Sequence, residues 1–427
     1  MIASPESFSR LTELPPLQAA RRVSNGRPCH LVGGALRDSY LGLAAADLDL
    51  VVAGDGDAFS RNLANQLAAR LVALGGDRFA SYRLVGRRFT LDVWGRGETT
   101  LRSDLERRDF TINALALDLH TASLEDPFDG LADMRDRTLR AVTAAGIAAD
   151  PCRVLRLVRL ALLLPSFSID SGTFDLAAES ASRLSEVAAE RLRSELGRIL
   201  GDGQPTQALD LLIRLSVLGA LWTASWWTDR NGESLHQWLA RYEKIEVKCV
   251  EIAGRRPNRL LSVHALIARA VGEGSGTAVS DIVGRLRRRG LMTKAQSRRV
   301  APLAVAPVAL FDESPRRFLA RWGEGWVDAA AVLASHSLET ADARIDEHLT
   351  SLARTLEHEG QRVLSPRPLL DGRVVSDLLD IDSGPLLGRI LALLLDAQLA
   401  GRITDREEAV RLLPELLEAA RREADED

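Results

Sequence analysis

The chain is poor in rings and in thiols. Aromatic residues make up 5% of its 427 positions, which argues against a nucleic-acid platform built mainly of stacked rings. The three cysteines, Cys29, Cys152 and Cys249, stand far apart with no CxxC pair. That excludes a zinc ribbon and a disulfide framework, and it fits a reducing compartment. Apolar runs such as Leu157–Leu164 are too short to span a bilayer. The first residues, Met1-Ile2-Ala3-Ser4-Pro5-Glu6, lack a charged n-region and an apolar h-region. No signal peptide, no membrane partner and a cytoplasmic location are therefore expected. A net charge of −4 leaves no global basic signature, so any nucleic-acid binding must use local basic patches.

What is there divides into two styles. Hydrophobic content of 46% and charged content of 27% describe a soluble globular chain. Its length calls for two to four domains. Up to residue 140 strand and helix signals mix. Cys29–Val32, Leu48–Val52, Ser81–Val85 and Arg88–Val93 read as strands, the last two joined at Gly86-Arg87. Residues 15–28, Ala35–Leu41 and Asp57–Leu74 read as helix or as helix leading into a turn. After 140 the strand signals fade, and Pro151–Leu164, Ser171–Glu179 and Ala188–Leu200 read as helices. From 205 nearly every periodic segment is helical. Breaks are expected at Gly201–Pro205, Thr228–Gly232, Gly272–Gly276, Asp312–Pro315 and Ser365–Pro368. The expected fold is a small mixed α+β head followed by an all-α neck, body and tail. The boundaries are 1–140, 141–204, 205–360 and 361–427.

Chemistry concentrates in the first of these. His30-Leu31-Val32-Gly33-Gly34-Ala35-Leu36-Arg37-Asp38 is followed by Asp47-Leu48-Asp49. Alternate residues of a strand share a face, so Asp47 and Asp49 can converge on one point. Two such carboxylates suit a Mg²⁺ that also holds phosphate oxygens. Gly33 and Gly34 can bring bare N–H groups to a polyphosphate, and Arg37 can neutralise it. The pattern suggests metal-assisted chemistry on a nucleoside triphosphate. In Arg107-Arg108-Asp109-Phe110-Thr111-Ile112-Asn113-Ala114 a polar cluster precedes an apolar helix. A guanidinium and a carboxylate there suit a triphosphate and ribose hydroxyls. Asp126-Pro127-Phe128-Asp129-Gly130 reads as a structural turn. Asp150, Arg153, Arg156 and Arg159 recur every three residues, a slanted polar stripe on a helix that suits the edge of a base. A solvated helix face is the plain alternative.

These blocks, in this order, resemble the class II tRNA nucleotidyltransferase and bacterial poly(A) polymerase family. The match runs over residues 28–200. A weaker one returns at Leu370-Asp371-Gly372, Gly384-Pro385, Gly388 and Gly401–Glu407, similar to the part of full-length members that grips the tRNA elbow. The resemblance implies that Asp47 and Asp49 bind two Mg²⁺ ions, with Asp92 a candidate third carboxylate. It implies that Gly33, Gly34 and Arg37 contact the triphosphate, Arg108 and Asp109 the triphosphate and ribose, Asp150 and Arg153 the base of CTP or ATP, and Arg156 and Arg159 further parts of the nucleotide. Glu190-Arg191 with Glu195-Leu196 resembles a mainly structural motif. Tentacles for RNA are sought in Arg255, Arg256 and Arg259, and in Arg287, Arg288 and Arg289 with Lys294, Arg298 and Arg299. A solvated face explains either patch equally well.

Two departures from the family pattern matter. The family has Glu immediately before the base-reading Asp, and here that position is Ala149. Between Val93 and Arg107 lies only Trp94–Glu106, whereas enzymes that add all of CCA carry a longer flexible loop there. The expectation is CMP transfer from CTP to the tRNA 3′ end, ending after two residues. The alternatives are full CCA addition with CTP and ATP, a poly(A) polymerase, and a catalytically silent RNA-binding protein. No His-Asp pair of a metal phosphohydrolase is seen, so no second hydrolase activity is expected.

Overall fold

A computed structural model describes residues 6–44, 47–74, 81–222, 229–307, 313–337 and 341–426. The chain separates into two compact units. One comprises residues 1–195 and 210–221, the other 196–209 and 222–427.

In the first unit, helices α1 (Glu6–Thr12) and α2 (Pro15–Ser24) precede a seven-stranded sheet. Its strands are β1 (Cys29–Val32), β2 (Asp47–Val52), β3 (Arg70–Leu74), β4 (Ser81–Val85), β5 (Thr90–Gly95), β6 (Ala116–Asp118) and β7 (Leu124–Glu125). Their order is β3-β4-β5-β2-β1-β6-β7. Every neighbouring pair is antiparallel except β2 and β5, which run parallel. β1 is buried at all four residues, so it reads as a continuous apolar run. β2 alternates at its start: Asp47 is exposed and Asp49 half-buried, while Leu48 and Leu50 are buried. The carboxylates thus share one face and the leucines hold the other. Further along the carboxylate face, Val51 joins Val32, Leu105, Ala114 and Ala116 in a small core with Trp94 packed against it.

The helices that serve this sheet are α3 (Gly34–Tyr40), α4 (Gly56–Leu67), α5 (Leu101–Glu106) and α6 (Gly130–Arg135). Asp55 caps α4 by accepting from the Asp57 N–H at 2.8 Å. The helix expected over Asp57–Leu74 stops at Leu67, where Ala68 turns left-handed at φ +48°. Arg70–Leu74 becomes strand β3 instead, because β4 supplies a ladder from Arg70↔Val85 to Leu74↔Ser81. That pairing is non-local, and helical periodicity alone does not register it. The expected hairpin of β4 and β5 is present, with the Gly86 N–H donating to the Phe89 carbonyl at 3.0 Å. Asp126 behaves as a turn residue, accepting from the N–H groups of Gly130 at 2.7 Å and Leu131 at 2.9 Å.

Helices α7 (Ala144–Ala149), α8 (Cys152–Leu163), α9 (Ser171–Ser180) and α10 (Ala189–Asp202) follow. Strand character does not end at 140, however. β8 (Thr138–Leu139) pairs in parallel with β9 (Ser168–Ile169), a contact too short and too distant in sequence to leave a pattern.

Among its described residues the second unit is helical. Gly272 does not break its helix, which runs Arg259–Ser275 and ends where Gly276 adopts φ +64°. Asn231 and Gly232 lie inside the helix Asp229–Ala253, so no break falls there. Thr228 and Asp312 lie outside the described residues; of the Asp312–Pro315 break, Glu313 and Ser314 are non-helical and the next helix starts at Pro315. Leu370, Val375, Ile390, Leu394 and Leu413 form a separate apolar cluster near the C-terminal end. No helix among the described residues is long and apolar enough to cross a membrane.

Candidate active site

β2 and β5 place Asp49 opposite Asp92 in register, on the same face as Asp47. Burial pushes the Asp49 carboxyl up to about 6; Arg108 opposes the shift, and Asp92 and Asp47 add to it. Two of these three carboxylates are differently committed. Asp92 receives a bidentate bridge from Arg83, with Nε at 2.8 Å and Nη2 at 2.7 Å. Asp47 stands exposed at the strand start. Among the described residues no three His, Cys, Asp or Glu side chains gather as a ready metal cage. Asp47 and Asp49 fit a cation whose other ligands come from a triphosphate and water. Such a cation would offset the burial that lifts Asp49 and the added repulsion from Asp92 and Asp47.

Gly33 sits where β1 meets α3, at φ +80° and ψ −142°. A Cβ there would lie 2.8 Å from Arg108 Nη1 and 3.2 Å from Asp49 Oδ2. Gly33 therefore keeps open the space between the Arg108 guanidinium and the Asp49 carboxylate. Its N–H is not bare, since it donates to the Leu115 carbonyl at 3.3 Å. Arg37 is buried, with Nε and Nη2 on Asp38 Oδ1 and Nη1 on Asn113 Oδ1 at 2.7 Å.

Arg108 is the cation with the largest influence on Asp49. It lies over the Trp94 ring at 5.1 Å and reaches Asp104 Oδ2 at 3.4 Å. Asp104 is buried and also receives Arg107 at 2.6 Å and the Trp94 Nε1–H at 3.1 Å. Sequence reading missed Asp104, although an acid on α5 four residues before Arg108, just beyond the end of that helix, was a signal. A cavity of about 720 Å³ opens beside Trp94, Arg107 and Arg108.

Asp109 forms the second cluster. It is 4% exposed. It accepts from the Asn113 amide at 3.0 Å and the Phe110 N–H at 2.9 Å, and pairs with Arg156 Nη2 at 3.0 Å. Burial raises this carboxyl, but Arg156, the Asn113 amide and the Phe110 N–H together outweigh it and leave it below the usual range. Replacing Arg156 by methionine should lower stability by about 2 kcal/mol, less than for a fully buried pair. The guanidinium is 38% exposed. Because Asp109 is held low, its contribution exists above the ordinary carboxyl value of about 3.9 and is lost as pH falls through the folded-state value. Urea titrations of both proteins at pH 7 and pH 3 check this: the gap should shrink in acid.

The polar stripe of α8 is not a solvated face. Arg153 Nη1 donates to the Arg108 carbonyl at 2.9 Å, and Nη2 donates to the Arg107 carbonyl. Arg159 pairs with Glu195 at 2.8 Å. Asp150 accepts from Arg191 Nη2 at 2.7 Å. The Nε–H groups of Arg108, Arg153 and Arg156 are buried without a hydrogen-bond partner, a cost that a polar ligand would remove. The structure thus gathers the glycines, Arg108, Asp109 and the α8 stripe within one unit.

The basic patches fare unevenly. Arg259 is engaged within the fold, by the buried carboxylate of Glu246 at 2.6 Å and the Gly203 carbonyl at 2.8 Å. Burying Glu246 demands a counter-charge, and Arg259 supplies it. Arg255 pairs with Glu324 at 3.0 Å. Arg256 stays 70% exposed, 3.8 Å from Glu246. Arg287 and Arg288 are exposed and Arg289 half-buried at the end of the helix Val279–Arg288.

Residues 79–140 match the model of the poly A polymerase head domain, and residues 166–222 match the probable RNA and SrmB-binding site of polymerase A. A CC-adding tRNA nucleotidyltransferase of Geobacter sulfurreducens is 31% identical over 423 residues, covering 94% of each chain. The chain belongs to the class II tRNA nucleotidyltransferase and bacterial poly(A) polymerase family. This nucleotidyltransferase is also 31% identical over 355 residues to a CCA-adding enzyme of Bordetella bronchiseptica, covering 75% of this chain and 87% of that one. A solved CCA-adding enzyme in complex with CTP shares its fold, with a TM-score of 0.72 at 21% identity over 97% of this chain and 98% of that one.

Proposed function

We propose that this nucleotidyltransferase adds two C residues to the 3′ end of tRNA and stops. The observation that carries the CC-only reading is the link from β5 to α5. It spans residues 96–100 and is stitched down throughout. The Arg96 N–H donates to the Val52 carbonyl at 3.0 Å, and Gly97 bridges Gly54. The Thr99 N–H and Oγ1 both donate to the Arg96 carbonyl, at 3.1 and 2.7 Å. Thr100 Oγ1 then caps α5 through the Ser103 N–H at 3.1 Å. A segment so short and so fully bonded has no slack with which to reshape the pocket from CTP to ATP. The Geobacter relative, named for CC addition, favours the same reading. The Bordetella relative, named for CCA addition, keeps the full reaction as the second reading.

In the proposed reaction the RNA 3′-hydroxyl attacks the α-phosphorus of CTP, the new P–O bond forms, and pyrophosphate leaves. Asp47 and Asp49 would hold two Mg²⁺, which when bound lower the pKa of the hydroxyl and neutralise the pyrophosphate. Arg108 binds the triphosphate beside them, and Gly33 and Gly34 admit it. Asp109, fixed by Arg156 and Asn113, faces the ribose, with Arg159 behind. Asp150 accepts from the amino group of the base and Arg153 donates to its ring acceptor. Arg256, Arg287 and Arg288 give the RNA backbone exposed cations, and a cytoplasmic location follows from the substrates.

The test is a product-length assay with Mg²⁺ and a tRNA lacking CCA. With CTP and ATP together, product should end after two C residues. A third residue, A, would establish the full reaction instead, and a long A tail would assign a poly(A) polymerase.

A further inference from the structure

Ala149 removes the acid that the family places beside its base readers, yet both readers are held. The side chain of Arg153 needs no neighbouring carboxylate, because its two terminal nitrogens donate to the carbonyls of Arg107 and Arg108. Gly146 lies against it so closely that a Cβ at 146 would strike Arg153 Nη1. The turn itself is tied from outside: Arg183 Nη1 donates to the Ala148 carbonyl at 2.6 Å while Arg183 also holds Glu186. The remaining reader, Asp150, ends α7 with a non-helical backbone and owns no cap bond to its side chain. What fixes its carboxylate is Arg191 from the first turn of α10, whose Nη2 meets Oδ2 at 2.7 Å.

We propose that Arg191 is a positioning residue for base selection, holding Asp150 so that one carboxylate oxygen is taken and the other is offered to the base. The proposal rests on the base-reading roles given above. The chemistry follows from donors and acceptors. Cytosine presents an amino donor beside a ring acceptor, which complements a fixed carboxylate oxygen and an arginine N–H. Uracil presents a carbonyl and a ring N–H at the same two places, so a fixed Asp150 oxygen meets another acceptor. Freed from Arg191, the carboxylate can rotate or turn to water, and the penalty against uracil falls. Lysine can replace the charge and one donor; alanine and glutamine cannot replace the charge.

The experiment measures single-nucleotide addition from CTP and from UTP, with tRNA lacking CCA, for the wild type and for R191A, R191Q, R191K and D150A. Loss of one charge-assisted contact should raise KM for CTP about tenfold in R191A and lower the CTP-to-UTP preference about tenfold, with kcat changed less than threefold. R191Q should fall between, and R191K should restore most of the preference. If D150A loses its preference for CTP while R191A and R191Q keep both KM and preference, Arg191 is merely structural and the proposal is overturned. If D150A itself keeps the preference, the base-reading role of Asp150 fails, and the proposal fails with it. Melting temperatures of all variants separate these results from misfolding, since a purely structural Arg191 would lower the melting temperature and leave the preference intact.

Discussion

Asparagine at position 49 should abolish nucleotide transfer while leaving the fold intact. A bound cation contributes several kcal/mol to a phosphoryl-transfer transition state, so the loss should be about a thousandfold or more in kcat/KM. Asp49 is chosen over Asp47 because it is the half-buried member of the pair, flanked by Arg108 and faced by Asp92. A structural carboxylate in that setting would lower stability when replaced. Here burial and two carboxylate neighbours work against the charged form, so the amide should melt at or above the wild-type temperature. Activity lost with stability kept is the signature of a group retained for function against its own folding cost. Incorporation of labelled CMP and a melting curve on the same preparation check both halves. An active D49N would force a different ligand set, and a wild type that incorporates no CMP would send the protein to the silent RNA-binding reading.

Alanine at position 33 should cost both stability and activity. At φ +80° and ψ −142° a side chain is strained whatever the space around it, at about 1–3 kcal/mol. The space is also taken, by Arg108 Nη1 at 2.8 Å and Asp49 Oδ2 at 3.2 Å. The new methyl must displace the Arg108 guanidinium and the Asp49 carboxylate, the groups proposed to act on the triphosphate. A misplacement of about 1 Å in such a site costs about a hundredfold in rate. Denaturant midpoints and initial rates should therefore fall together in G33A. The neighbouring Gly34 has an ordinary φ and would meet only the Arg37 guanidinium at 3.3 Å, so G34A should lose less stability. Equal losses at both positions would mean that the glycines serve the turn and not the space beside Arg108 and Asp49.

Much of this site was legible because its signals are local. A strand that alternates acid and leucine announces its own two faces, so Asp47 and Asp49 could be paired from spacing alone. Three-residue recurrence on a helix likewise grouped Asp150, Arg153, Arg156 and Arg159. The mixed head and the helical remainder followed from periodicities of two and of 3.6. The family resemblance then added roles to positions that the spacing had already grouped.

Other features could only be decided in three dimensions. Helical rhythm continued through Arg70–Leu74, but β4 captured that segment as strand β3, since a ladder partner outweighs a local preference. Arg259 looked like any exposed arginine until the buried Glu246 claimed it. Gly33 looked like an N–H donor until Leu115 took its hydrogen and the space beside it proved to be the point. Ala149 looked like a missing brace until backbone carbonyls were found holding Arg153 and Arg191 holding Asp150. The sequence by itself determined which residue types stand at which local spacing, because strand and helix geometry repeat over a few residues. Which charge meets which is decided by the tertiary structure, because partners as distant as Arg255 and Glu324, 69 residues apart, leave no periodic trace in the chain.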